Sequence, residues 1–78
     1  MIRLSELSLG ASGIIRRYEN DEIHLKLMEM GCVPGEIVKV EKIAPLGDPI
    51  SIRVAGYQLS LRKTEADKVW IDELVSIH

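Results

Sequence analysis

Three residues in the first half of the chain have the types and spacing of a soft metal site. His24, Met28 and Cys32 fall at i, i+4 and i+8, and on one unbroken helix that spacing would gather an imidazole and two sulfurs on one face. The surrounding residues argue against it. Gly31 stands where a helix ends, one residue before Cys32. Methionine is most often a core filler, and a lone cysteine with one histidine offers too few ligands for a closed shell. The expectation is no metal ion held within the chain and at most an adventitious one at His24 or Cys32; His78, the last residue, is expected to be frayed. Nucleophilic catalysis needs a base and an orienting group beside the nucleophile. One Cys, two His and 12 acidic residues scattered along presumed solvent faces do not supply them, so no catalytic residue and no cofactor-binding residue is assigned.

Composition narrows the rest. Seventy-eight residues leave room for one core, which predicts a single domain over 1–78. Aromatic residues make up only 4% of the chain, so the core must be built from Ile, Val, Leu and Met, a mixture that favours strands. A single cysteine cannot close an intrachain disulfide, which points to a reducing, cytoplasmic setting. The longest aliphatic or aromatic run is Val69, Trp70, Ile71, far short of the roughly 20 apolar residues of a membrane span, and no signal-peptide pattern opens the chain. Neither membrane insertion nor export is expected. Ten basic residues against 12 acidic ones give no global positive field for a phosphate backbone, so nucleic acid is not an expected partner.

Period-two segments separated by turn residues predict the scaffold. Ile50, Ile52 and Val54 alternate with Ser51 and Arg53, and Tyr57, Leu59 and Leu61 alternate with Gln58, Ser60 and Arg62; Ala55 and Gly56 between them make a hairpin. Two further strands run from Gly13 to Tyr18 and from Glu36 to about Ile43. A fifth, centred on Val69 and Ile71, closes the sheet over an exposed edge. The one helical window spans about Asp21 to Met30, with Ile23, Leu27 and Met30 on its apolar face, Asn20 or Asp21 as its cap and Gly31 as its end. A second helical turn is expected at Thr64 to Asp67, capped by Thr64. The resulting architecture is a mainly β, five-stranded antiparallel barrel with one short α-helix between its first and second strands. Its core is expected to hold Ile14, Leu27, Met30, Val38, Val40, Ile52, Val54, Leu59, Leu61 and Val69.

A barrel without cleft chemistry acts by contact, and its stiffest projections are the places to look. Pro34 and Gly35 suit the central positions of a type II turn that drives the chain from the helix into the next strand. Pro45 and Pro49 stiffen the ends of the loop between the next two strands, Gly47 permits its bend, and Asp48, preceding a proline, is biased towards extended backbone. At 100° per residue Leu25 falls about 160° from Ile23, which turns an apolar side chain outward beside Lys26 and Glu29. Trp70 alternates away from Val69 and Ile71 and either covers a barrel end or anchors a protein partner. Arg16 and Arg17, adjacent on one strand, are expected on opposite sides and so make no basic stripe. The candidate contact residues are Leu25, Lys26, Glu29, Pro34, Gly35, Pro45, Gly47 and Trp70.

The order of these features resembles the ferrous iron transport protein A (FeoA) family over nearly the whole chain. The resemblance rests on Leu4, Ser5, Glu6 and Leu7 with Gly10 and Gly13, on the run from Leu27 through Met30 and Gly31 to Pro34 and Gly35, on Ala44 to Ile50, and on Gly56, Tyr57, Leu59, Leu61, Arg62, Glu65 and Ala66 leading to Val69. It implies an SH3-like barrel and a cytosolic accessory role in bacterial ferrous iron uptake, exercised by contact with a membrane permease that carries a cytoplasmic GTPase domain. Weak self-association is a further expectation. The same fold type closes iron-dependent repressors, so the alternative is a detached regulatory domain that binds a proline-containing peptide.

Overall fold

The computed structural model describes residues 1–75; His78 lies outside them. The five expected strands are β2 (Ser12–Tyr18), β3 (Ile37–Ile43), β4 (Ile50–Val54), β5 (Tyr57–Leu61) and β6 (Val69–Leu74). A sixth, the two-residue β1 (Ile2–Arg3), adds to them and runs into a 3-10 turn at Leu4–Glu6. The sheet order is β1-β6-β2-β3-β4-β5, with every neighbouring pair antiparallel. β6 therefore covers the edge of β2, as expected, and β1 in turn covers β6. Leu4, Leu7, Ile15, Val38, Val40, Ile52, Val54, Leu61, Val69 and Ile71 all belong to one buried cluster. Strands from both ends of the sheet line that cluster, so the sheet must curl around it.

Helix α1 (Asp21–Glu29) starts where the Asn20 side chain accepts the Ile23 N–H at 3.0 Å, the cap that satisfies one of its orphan donors. It ends in a Schellman arrangement. The Cys32 N–H donates to the Leu27 carbonyl at 2.9 Å and the Gly31 N–H to the Met28 carbonyl at 3.1 Å, with Gly31 at φ +91°, a conformation that glycine enters without strain. Leu27 and Cys32, the pair such an end brings into apolar contact, are both buried in the core. The Pro34–Gly35 turn follows, closed by the Glu36 N–H on the Val33 carbonyl at 3.1 Å. The second helical turn is α2 (Lys63–Ala66), one residue earlier than expected. Its start is held by the Glu65 carboxylate accepting the Arg62 N–H at 2.9 Å rather than by Thr64.

The expected core needs one change of phase. Ile15, not Ile14, points inward, and Ile14 is half-buried on the other face. Two adjacent isoleucines satisfy either phase, and Gly13 decides between them. A Cβ at Gly13 would sit 2.7 Å from Ile71 Cδ1 and 3.0 Å from the Asp72 carbonyl oxygen, so only glycine allows β2 this close to β6. Met30 and Leu59 pack against the core from half-buried positions. Leu4, Leu7, Ile23, Cys32, Ile50, Ala66 and Ile71 complete it.

Candidate functional site

Short helix α2 is the anchor for the projecting parts. Lys26 of α1 donates to the Glu65 carboxylate, the Lys63 N–H donates to Asp48 Oδ1 of the β3–β4 loop at 3.0 Å, and Ser5 of the 3-10 turn donates to Asp67. Helix, loop and amino-terminal turn are thus tied to one four-residue element and its cap. The electrostatics record the same ties. The Lys26 hydrogen bond, seconded by the Arg62 N–H, holds the Glu65 carboxyl below its ordinary range. The Ser5 hydroxyl, with Lys63 adding a favourable charge, does so for Asp67.

Leu25 is 66% exposed on α1, as the helical spacing predicts. Lys26 and Glu29 flank it in solvent, with Lys26 committed to Glu65. Pro34 and Gly35 stand exposed at the corner after the helix, and Gly35 holds φ +96°. In the β3–β4 loop Pro45 is exposed and Gly47 half-buried, within a turn closed by the Gly47 N–H on the Ala44 carbonyl at 2.7 Å. The Asp48–Pro49 peptide bond is cis. Sequence reasoning missed the side chain that this loop presents: Leu46 is 97% exposed at its tip. It also missed that Met28 and Tyr57, both exposed, share a surface groove with Glu29, Met30, Gly31 and Leu59. Period-two alternation places Tyr57 on the face of Leu59, but only the packed sheet brings that face to the end of α1.

The sulfur-and-imidazole spacing does not become a site. Cys32 lies beyond the helix end and is 2% exposed, and burial pushes its thiol up to about 11. Met28 faces solvent, and His24 stacks on Tyr18 with ring centroids 5.0 Å apart. Among the described residues no group of three or more His, Cys, Asp or Glu side chains is placed to hold a metal ion. The Tyr18 hydroxyl is buried without a hydrogen-bond partner among the described residues, and its pKa is raised, first by burial and then by the neighbouring Cys32.

Trp70 is neither fully buried nor fully exposed. It is half-buried on the outer face of the sheet, with the Arg3 guanidinium 5.1 Å and the Arg17 guanidinium 5.6 Å from its ring. The expectation that Arg16 and Arg17 diverge across a strand fails. The pairing of β2 with β6 slips between Ile15 and Arg17, so Arg16 is the extra residue of a β-bulge and Arg17 moves level with Trp70. Arg16 is exposed as well, donating from Nε to Asp72 Oδ2 at 2.6 Å.

A family model, the FeoA domain, matches residues 2–73. The chain belongs to the FeoA family. It is 41% identical over 76 residues to the Fe(2+) transport protein A/Fe(2+) transporter FeoB fusion protein of Porphyromonas gingivalis, an alignment that covers 96% of this chain but only 9% of that protein. The NMR structure of an FeoA-like protein from Clostridium acetobutylicum superposes with a TM-score of 0.90 at 36% identity, covering 99% of this chain and 91% of that one. The crystal structure of Stenotrophomonas maltophilia FeoA complexed with zinc, described as a prokaryotic SH3 domain protein, gives 0.80 at 34% identity over 92% and 91% of the two chains. The FeoA fold is the SH3-like barrel expected from the sequence, and the family is linked to Fe(2+) transport.

Proposed function

We propose that this FeoA chain is a cytoplasmic accessory factor of bacterial ferrous iron uptake, without catalytic activity, that works as a single domain by docking on a membrane permease with a cytoplasmic GTPase domain. The observation that carries the reading is Leu25: an apolar side chain 66% exposed on a helix held at both ends by capping and tied through Lys26 to α2. An exposed leucine on a rigid element loses little conformational freedom when a partner covers it. The fusion of an FeoA with an FeoB transporter in P. gingivalis supports the choice of partner, since two domains on one chain meet at high effective concentration. Membership in the FeoA family over residues 2–73 favours this over the repressor-type alternative. The residues proposed to make this contact are Leu25, Lys26 and Glu29 on α1, the Pro34–Gly35 corner, and the Pro45–Gly47 turn with Leu46 at its tip. Any self-association is weak beside this contact.

The test is copurification of wild-type and Leu25→Glu protein with the permease's cytoplasmic domain. The variant is expected to keep its circular dichroism and melting temperature and to lose most of its binding. Unchanged binding by Leu25→Glu, together with its loss in a folded Trp70→Ala variant, would move the docking face to the outer side of β6.

A further inference from the structure

Arg3, Trp70 and Arg17 come from three strands and form one row. Arg3 pairs with Trp70 across β1 and β6, and the bulge brings Arg17 level with Trp70 across β6 and β2. Both guanidiniums lie within the distance at which a cation is attracted to an indole. The chain's own acids do not use up these charges. Arg17 has no acidic partner among the described residues, whereas Asp72 takes Arg16 and the amino terminus. Arg3 reaches Glu19 at 3.8 Å and lends a favourable charge to Asp67, and among the described residues its buried Nε has no acceptor.

From this we infer a second interaction surface, separate from α1, on which the Arg3–Trp70–Arg17 row binds an acidic peptide segment: carboxylates meet the two guanidiniums and an apolar side chain covers the exposed part of the indole. Carboxylates suit the planar donor forks of arginine, and a partly covered tryptophan between them supplies apolar area in the same footprint. The site sits beside β1, a terminal strand of the sheet order. The row holds only two guanidiniums, Arg3 and Arg17, enough for two carboxylates. A phosphate backbone needs a longer uninterrupted basic track.

Trp70 is the only tryptophan of the chain, so its fluorescence reads the row directly. Titration of the full chain with a capped hexaglutamate peptide at low salt is expected to give a saturable change in emission that weakens as salt is added. Hexalysine should give none. Arg17→Gln, checked for folding by melting temperature, is expected to weaken hexaglutamate binding at least fivefold, and Arg3→Gln serves in its place if that variant does not fold. Absence of a saturable change overturns the inference, as does undiminished binding by the folded variant. Tighter binding of a thymidine hexanucleotide than of hexaglutamate overturns it in favour of nucleic acid. None of these results bears on Leu25, whose contact is read by copurification.

Discussion

Helix α1 and the outer row on β1, β6 and β2 both offer chemistry to solvent, and they are built in opposite ways. The helix is local. Its cap, its buried Ile23 and Leu27, its exposed Leu25 and its glycine end all lie within Asn20 to Cys32, and its end is fixed by backbone bonds no more than five residues apart. The row is non-local. Residues 3, 17 and 70 meet only because three strands pair in register and one of them carries an extra residue. A local face survives as long as its element survives, whereas an assembled face depends on every strand pairing beneath it.

That difference can be probed with one reporter in each region, Trp70 for the row and Cys32 for the helix end. The largest effect should come from Leu27→Ala. Leu27 is wholly buried and closes the Schellman end, so its truncation is expected to cost about 2–5 kcal/mol. For so small a domain that is a large share of total stability, and both reporters should change together in a denaturant titration. A loss below about 0.5 kcal/mol would mean that the helix is not docked through this residue, well under the usual range for such a truncation.

Gly13→Ala attacks the other region. The added methyl meets the buried Ile71 side chain and the Asp72 carbonyl, so β2 and β6 must part, at a cost of about 1–3 kcal/mol. Trp70 emission should shift under native conditions while α1 keeps its helical signal. An unaltered Trp70 spectrum would show that the row does not depend on the tight β2–β6 approach.

Glu65→Gln should touch only the helical side. The Glu65 carboxyl is held below its ordinary range in the folded protein, chiefly by Lys26. Its ionised form therefore contributes stability that is fully present above the ordinary carboxylate range and is lost as pH falls through the depressed value. Asp67, depressed mainly by Ser5, acts in the same direction. Melting temperature against pH should accordingly fall on the acid side, and Glu65→Gln should flatten part of that fall and leave Trp70 emission alone. The smallest disturbance is chemical labelling. Cys32 is buried, with its thiol pushed up to about 11, so at pH 8 iodoacetamide should modify the native chain far more slowly than the urea-unfolded one. Equal rates would mean that the end of α1 opens freely.

Much of the fold was legible before any coordinates. The β4–β5 hairpin, the span of α1, its glycine end and the outward aim of Leu25 follow from periods of two and 3.6 and from residues with fixed backbone preferences. Those are short-range consequences of sterics and of which side chains water excludes. The Pro34–Gly35 turn belongs with them, because proline fixes one torsion and glycine alone enters the next without strain. The end of α1 before Cys32 was legible in the same way, since Gly31 stands where the helix turns into a left-handed residue.

Tertiary structure decided what depends on two distant segments meeting. Ile14 and Ile15 were equivalent to a period-two reading until Gly13 was seen pressed against β6. Arg16 and Arg17 looked opposed until the register slip appeared. β1 is too short to leave a periodic signal and exists because β6 offers it an edge. Trp70 could not be placed from its own strand, because the groups that flank it lie 67 and 53 positions away in the chain. A sequence states the preferences of each residue and its near neighbours; which distant neighbours it acquires is set by strand register, and register is settled only when the whole core packs.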